Sequence, residues 1–362
     1  MHEKIKVGIT HGDINGIGYE VILKALDDER ILELCTPIVY GSAKIAASYR
    51  KNLELEAATF TQIASATEAR ADANNIINVI PEDTHLEPGQ STPEAGVAAF
   101  IALERAVTDL RNGDIDVLVT APINKSNIQS DTFTFPGHTE YLEAVTAESG
   151  AKALMILCND TLRVALQTAH LPLNKVAEAI TKEGIIDKLQ VFNRSLQRDF
   201  GIRAPRIAVL SLNPHSGDSG LLGSEEREII SPAIAEAREQ KILAFGPYAA
   251  DGFFGAGNFT KFDGVLAMYH DQGLTPFKTI AMDSGVNFTA GLPIVRTSPD
   301  HGTGYDIAGK GLASPESMRA AIYTAIDIHR NRRNDAEAFR SPLRRQYYEK
   351  GTDNVVLDLS GE

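Results

Sequence analysis

The sequence predicts an α/β fold, and three observations carry that prediction. Short apolar runs alternate with longer amphipathic stretches along the whole chain. Several short runs are near-continuous Val, Ile and Leu rather than apolar/polar alternations, the pattern of strands covered on both faces by helices in a parallel sheet. A chain of 362 residues has the length of two domains, each able to bury its own core. The strands read off in order are Ile5–Thr10, Pro37–Tyr40, Ile76–Ile80, Asp116–Thr120, Leu154–Leu157, Leu162–Thr168, Arg206–Ser211 and Gly264–Tyr269. Between them the 3.6-residue period marks helices at Tyr19–Leu26, Pro93–Leu110, Thr139–Glu148, Leu173–Phe200, Ser224–Gln240 and Pro315–His329. Loops concentrate at 81–92, 121–138, 212–223 and 246–263. In open α/β sheets binding residues gather past the carboxyl ends of strands, so those ends are where a site is sought.

Composition narrows the function. Apolar residues at 43% and charged residues at 23% are ordinary globular values, which excludes a disordered, collagen-like or disulfide-framework chain. With only Cys35 and Cys158 present, no Cys-rich metal knuckle is available, and the usage suits a reducing compartment. The net charge of −13 and the lack of a Lys/Arg run argue against nucleic acid. Arg330, Arg332, Arg333, Arg340, Arg344 and Arg345 are expected to form a solvated helix face. No stretch of about 18 apolar residues is found, and Met1–Lys6 has no signal-peptide core, so no membrane partner and a cytoplasmic location are expected.

Chemistry-bearing residues cluster past the strands. His170, His215 and His270 each follow a buried run. Three neutral imidazoles leave a fourth position open, the arrangement of a catalytic zinc site, and imidazole favours zinc, cobalt or nickel over magnesium. Three unrelated loop histidines are the plainer alternative. Asp271 either orients a ligand imidazole, takes a proton as a base, or is an ordinary turn residue. The loop Thr10–Glu20 carries Gly12, Asp13, Gly16 and Gly18 but lacks the usual dinucleotide fingerprint. A second glycine loop, Pro299–Gly311, includes Gly302 and Asp306; flexible backbone with a carboxylate suits a ribose diol. A third, His215–Gly223, is either an anion nest or a plain surface loop. Lys278, Asn287 and Arg296 form a cation-and-amide set suited to a phosphate or carboxylate, against which interdomain ion pairs compete. Thr139 is a candidate helix N-cap, which leaves His138 unexplained.

These motifs resemble those of the 4-hydroxythreonine-4-phosphate dehydrogenases of vitamin B6 biosynthesis. The resemblance rests on Gly12-Asp13-x-x-Gly16-Ile17-Gly18-x-Glu20, Val119–Lys125, Phe135–Glu140, Leu212–His215, Tyr269–Gly273 and Asp300–Thr303, and covers nearly the whole chain. The loop from His301 to Gly311 is also similar to the adenosine-binding loop of isopropylmalate dehydrogenases. The resemblance implies two α/β/α domains with an intervening cleft. The cofactor-side domain would comprise 1–125 with 285–362, and the metal, substrate and dimerisation domain 126–284. It places metal ligands on His170, His215 and His270 and substrate contacts on His138, Thr139, Lys278, Asn287 and Arg296. It implies NAD(P) contacts at Gly12, Asp13, Gly16, Gly18, Gly302 and Asp306, with Asp271 or Lys278 as the base. It further implies a homodimer whose metal site is shared between subunits and a divalent cation, zinc ahead of cobalt or magnesium. The implied reaction is oxidation of 4-phosphooxy-L-threonine to a β-keto acid that decarboxylates to 3-amino-2-oxopropyl phosphate. A sister dehydrogenase of phosphorylated threonate or erythronate is the nearest alternative. A three-His hydrolase or lyase without dinucleotide is the alternative of another class. Ile14 and Tyr19 stand where the family usually has Pro, which is expected to soften the first loop, and Gly304-Tyr305 replaces a small apolar pair.

Overall fold

The computed structural model describes residues 4–147, 150–281 and 283–340. Its twelve strands form one sheet. In chain order they are β1 (Ile5–Thr10), β2 (Cys35–Gly41), β3 (Phe60–Ile63), β4 (Asn74–Asn78), β5 (Val117–Thr120), β6 (Leu154–Cys158), β7 (Arg163–Leu166), β8 (Arg206–Leu210), β9 (Leu243–Tyr248), β10 (Gly264–Ala267), β11 (Val286–Ala290) and β12 (Arg296–Pro299). Across the sheet the order is β3-β4-β2-β1-β5-β12-β11-β6-β7-β10-β8-β9. The block from β3 to β12 is parallel throughout, and so is the block β7-β10-β8-β9. Between them β11 is antiparallel to both β12 and β6, and β6 is antiparallel to β7. Because three antiparallel pairings intervene, the two blocks run in opposite directions. One is drawn from residues 5–120 plus 296–299, the other from 163–267.

The first block shows why the sequence folds this way. Val7, Ile9, Val39, Ile76, Val117 and Val119 are fully buried, as continuous Val/Ile strands in a doubly covered sheet should be. The helix Pro93–Asn112 starts at Thr92, whose Oγ1 accepts from Ala95 N at 3.2 Å, has Pro93 at its first position and stops at Gly113 with φ 79°. Its Ala-rich face lets it lie close to the strands. Both cysteines are buried and unpaired. Among the described residues no helix is long and apolar enough to cross a membrane.

Several expected elements differ. Strands β3, β9, β11 and β12 were absent from the sequence reading, as were helices Ala43–Asn52 and His270–Ala281. The expected helix 173–200 is two helices, Leu173–Ala179 and Lys182–Arg198, because Thr181 takes an extended conformation and caps the second by accepting from Gly184 N at 3.1 Å. The next expected helix is interrupted by a wide turn at Glu226–Ile230. Thr139 is not an N-cap: the helix His138–Thr146 begins one residue earlier, after Gly137. Arg332 is not on a solvated face. It donates to Asp199 at 2.7 Å and to the carbonyls of Leu292, Pro293 and Ile294, stitching the last helix to the chain before β12. Arg344 and Arg345 lie outside the described residues, as do positions 341–362 of the expected cofactor-side domain.

Candidate active site

The change of direction at the sheet's centre creates the site. A cavity of about 280 Å³ rests on Thr120 of β5, Met155 and Leu157 of β6, Asn287 of β11 and Arg296 of β12. The 121–125 loop, His138, the helix His270–Ala281 and the turn Asp300–Gly302 wall it. His270 opens that helix just past β10. Lys278, about two turns on, pairs with Asp300 past the end of β12 at 3.4 Å. Gln272 fastens the helix start: its Nε2 donates to Ser211 O and its Oε1 accepts from Met268 N, each at 2.7 Å.

Arg296 dominates the floor. It is 3% exposed, and its Nε and Nη2 donate to Thr120 Oγ1 at 3.0 and 2.6 Å, with Nη1 donating to Thr289 Oγ1 at 3.2 Å. No carboxylate pairs with it among the described residues. Burial lowers its pKa to about 10, partly offset by Glu140. A buried cation held only by hydroxyls is costly until an anion meets it. Around it stand two more buried polar atoms without partners, His138 Nε2 and Asn287 Oδ1. Burial, with Arg296 and Lys125 nearby, pushes His138 well below its ordinary value and keeps it neutral. Burial pushes the Asp300 carboxyl up, against the pull of Lys278.

At the other end His170 and His270 face each other with ring centroids 6.1 Å apart. Asp271 accepts from His270 Nδ1 at 2.7 Å, so Nε2 of that ring carries the free lone pair. Asp271 itself is 81% exposed and does not line the cavity. A metal–nitrogen bond of about 2.1 Å puts a ring centroid about 3.2 Å from the ion, so two imidazoles on one tetrahedral cation have centroids about 5.2 Å apart. The observed pair is about 1 Å wider than that, an open arrangement that a bound cation would have to draw in. His215 lines neither this cavity nor the adjoining one around Leu171, and no third ligand joins the pair among the described residues. It sits in a left-handed run in which His215, Ser216, Asp218 and Ser219 have φ of 53°, 52°, 42° and 59°. Such backbone costs roughly 1–2 kcal/mol per residue. The Glu226 carboxylate steadies the approach to the run by accepting from the amides of Leu212 and Asn213.

The first two glycine loops separate in character. Gly12, Asp13, Gly16 and Gly18 are all buried. A Cβ on Gly12, whose φ is 69°, would lie 2.2 Å from Pro122 O, and one on Gly16 would lie 2.7 Å from Thr303 O. These glycines serve close packing of the chain on itself. Gly302, by contrast, has open space where a Cβ would go and lines the cavity, and Asp306 is exposed. That pair fits a dinucleotide's approach. The first loop is also not softened by losing proline. Tyr19 is buried, stacked between His11 at 5.3 Å and Tyr49 at 5.7 Å, and its hydroxyl accepts from Ser42 N at 2.8 Å. Residues the sequence did not mark as site residues include Thr120, Gln272, Thr289 and His301; all but Thr289 lie inside motifs that carry the resemblance.

The family profile described as "Pyridoxal phosphate biosynthetic protein PdxA" matches residues 33–325. A 4-hydroxythreonine-4-phosphate dehydrogenase of Bacteroides thetaiotaomicron is 59% identical over 356 residues, covering 98% of this chain and 97% of its own. The chain belongs to the 4-hydroxythreonine-4-phosphate dehydrogenase family. A second such dehydrogenase, from a Sulfurihydrogenibium species, is 42% identical over 91% of this chain and 100% of its own. The crystal structure of the Klebsiella pneumoniae 4-hydroxythreonine-4-phosphate dehydrogenase superposes with a TM-score of 0.77 at 34% identity, covering 90% of this chain and all of that one. As a member of the 4-hydroxythreonine-4-phosphate dehydrogenase family, the chain is an oxidoreductase built on that family's α/β fold.

Proposed function

We propose that this chain oxidises 4-phosphooxy-L-threonine at its secondary alcohol, with NAD(P)⁺ as hydride acceptor, in the cytoplasm and as a homodimer. The observation that carries the reading is a single cavity with a buried, carboxylate-free guanidinium at one end and a facing imidazole pair at the other. A divalent cation, zinc ahead of cobalt or magnesium, would be held by His170 and His270 of one subunit and the partner subunit's His215. When bound, the cation supplies Lewis acidity toward the substrate alcohol and the dinucleotide supplies the hydride acceptor.

The chain's own residues do the rest. Arg296 takes the substrate's anionic group bidentately; His138, Asn287 and Lys278 of the same cavity complete its seat, and Thr139, which does not line the cavity, adjoins it through His138. Lys278 receives the alcohol proton as the neutral amine, having first released its own proton to solvent, because it lines the cavity while Asp271 is exposed and engaged in orienting His270. Loss of hydride and proton leaves the β-keto acid. Breaking its carboxyl-bearing C–C bond releases CO₂, leaves the electron pair on the α-carbon, and protonation there gives 3-amino-2-oxopropyl phosphate. Gly302 and Asp306 hold the adenosine half of the dinucleotide, and the buried loop 12–18 acts as their support. The segments 1–125 with 285–362 form the cofactor side, and 126–284 the metal, substrate and dimerisation side.

The test follows reduced-cofactor absorbance with 4-phosphooxy-L-threonine and its deaminated analogue in parallel, with and without added Zn²⁺. Turnover of the amino substrate, enhanced by the metal, is expected. Preference for the deaminated acid would move the chain to a sister activity, and no reduction of either nucleotide would overturn the reading.

A further inference from the structure

One phenol in the second glycine loop has a bonding pattern that packing alone does not require. The loop Pro299–Gly311 is glycine-rich, and Gly304 within it has a φ of 54°. Such a segment loses much conformational entropy when ordered, so ligand-ready geometry needs fixed anchors. The main chain supplies one, Ile17 N donating to Thr303 O at 2.9 Å. Tyr305 supplies the other. Its hydroxyl donates to Asp13 Oδ2 at 2.8 Å and accepts from Asn124 Nδ2 at 3.0 Å.

Both partners are fixed in turn. Asp13 is 1% exposed, its Oδ1 accepts from Asn15 N at 2.9 Å, and its Oδ2 also accepts from Asn127 Nδ2 at 2.8 Å. Asn124 also donates to Ser91 Oγ at 2.9 Å. The Tyr305 hydroxyl therefore joins the buried first loop, the 81–92 loop and the 121–128 loop, whose Pro122, Ile123 and Lys125 face the substrate cavity. Asp306, the exposed carboxylate of the same loop, is its immediate neighbour.

We propose that Tyr305 is a positioning residue for the dinucleotide: by bridging Asp13 and Asn124 its hydroxyl sets the loop so that Asp306 meets the adenine ribose. The proposal rests on the assignment of Gly302 and Asp306 to the cofactor made above. The ordering cost of the loop is met in the folded chain, and removing the hydroxyl transfers it to the binding step.

Tyr305→Phe deletes one oxygen and keeps the ring. A hydrogen bond to a carboxylate corresponds to about a tenfold change or more. The expected result is a KM for the preferred nucleotide, and a Kd for its reduced form by fluorescence, raised about tenfold or more, with kcat and substrate KM held within twofold. Tyr40→Phe is the comparison. That buried phenol donates to Asp109 Oδ2 at 2.8 Å, away from both glycine loops, and its loss should lower Tm without moving the cofactor KM. Asp306→Ala is measured alongside. A cofactor KM unchanged in Asp306→Ala overturns the loop assignment and this proposal with it. Impaired Asp306→Ala beside an unchanged Tyr305→Phe overturns the proposal alone, as does a Tyr305→Phe enzyme that merely melts earlier, like Tyr40→Phe.

Discussion

At the scale of single residues, the site works by leaving charge unpaired. Arg296 could have been neutralised by a carboxylate from a neighbouring strand; Thr120 and Thr289 stand there instead. Hydroxyls hold the guanidinium's orientation without cancelling its charge, so an incoming anion gains nearly the full interaction. Arg296→Ala should raise substrate KM by about 30- to 5,000-fold, the range for losing one partner of a buried charge pair. Arg296→Lys should recover little of it, since a point charge cannot make the planar two-pronged contact. Initial rates across substrate concentration measure both. His11 gives a prediction of another kind. Burial lowers its pKa from 6.5 to about 4, so below 6.5 the unfolded chain binds more protons than the folded one. Its contribution is complete above pH 6.5, declines as pH falls and is gone by about 4. At about 1.4 kcal/mol per pH unit that window spans roughly 3 kcal/mol. Denaturant unfolding at several pH values should show a slope shallower by that amount across the window in His11→Gln.

At the scale of elements, the helix His270–Ala281 links the imidazole end of the cavity to the anion end. It lies flat on the sheet because Gly273 has no side chain: a Cβ there would fall 2.8 Å from Val164 Cγ1 and 2.9 Å from Leu166 Cδ2. Gly273→Ala should cost about 1–3 kcal/mol by overpacking. It should also lower kcat/KM, because His270 and Lys278 shift together; thermal melts and steady-state rates read the two effects separately. This helix also shows where sequence reading stops. Its His-Asp-Gln-Gly-Leu-Thr-Pro punctuation looks like a turn, and only its fit over β7 and β10 makes it helical. Strands β11 (Val-Asn-Phe-Thr-Ala) and β12 (Arg-Thr-Ser-Pro) were missed for a related reason. They are polar because Asn287 and Arg296 build the site, and polar residues break the apolar run that marks a buried strand. The legible strands, such as Ile5–Thr10 and Arg206–Leu210, have only packing to satisfy. That His138, Asn287 and Arg296 could line one cavity was readable from their residue types. That Arg296 rests on Thr120 and Thr289 was not, because nothing local fixes the pairing of β12 with β5 and β11.

At the scale of the whole molecule, the reversed blocks leave each chain with the His170–His270 pair at the cavity and His215 held elsewhere on a strained turn. Leu171 and Leu173 beside His170, and Leu221 and Leu222 beside His215, are exposed, so both regions present apolar surface suited to a partner. In a twofold dimer each site would combine His170 and His270 of one chain with the partner subunit's His215. That arrangement makes a sharp complementation prediction. His170→Ala and His215→Ala homodimers should each lack metal and activity. Mixed by co-refolding, about half the dimers are hybrids, and one of the two sites in each hybrid receives every intact ligand. Activity and bound zinc should therefore recover to about a quarter of wild type. If all three rings served one metal within a single chain, no hybrid would hold a complete set, and the mixture would stay as inactive as its components.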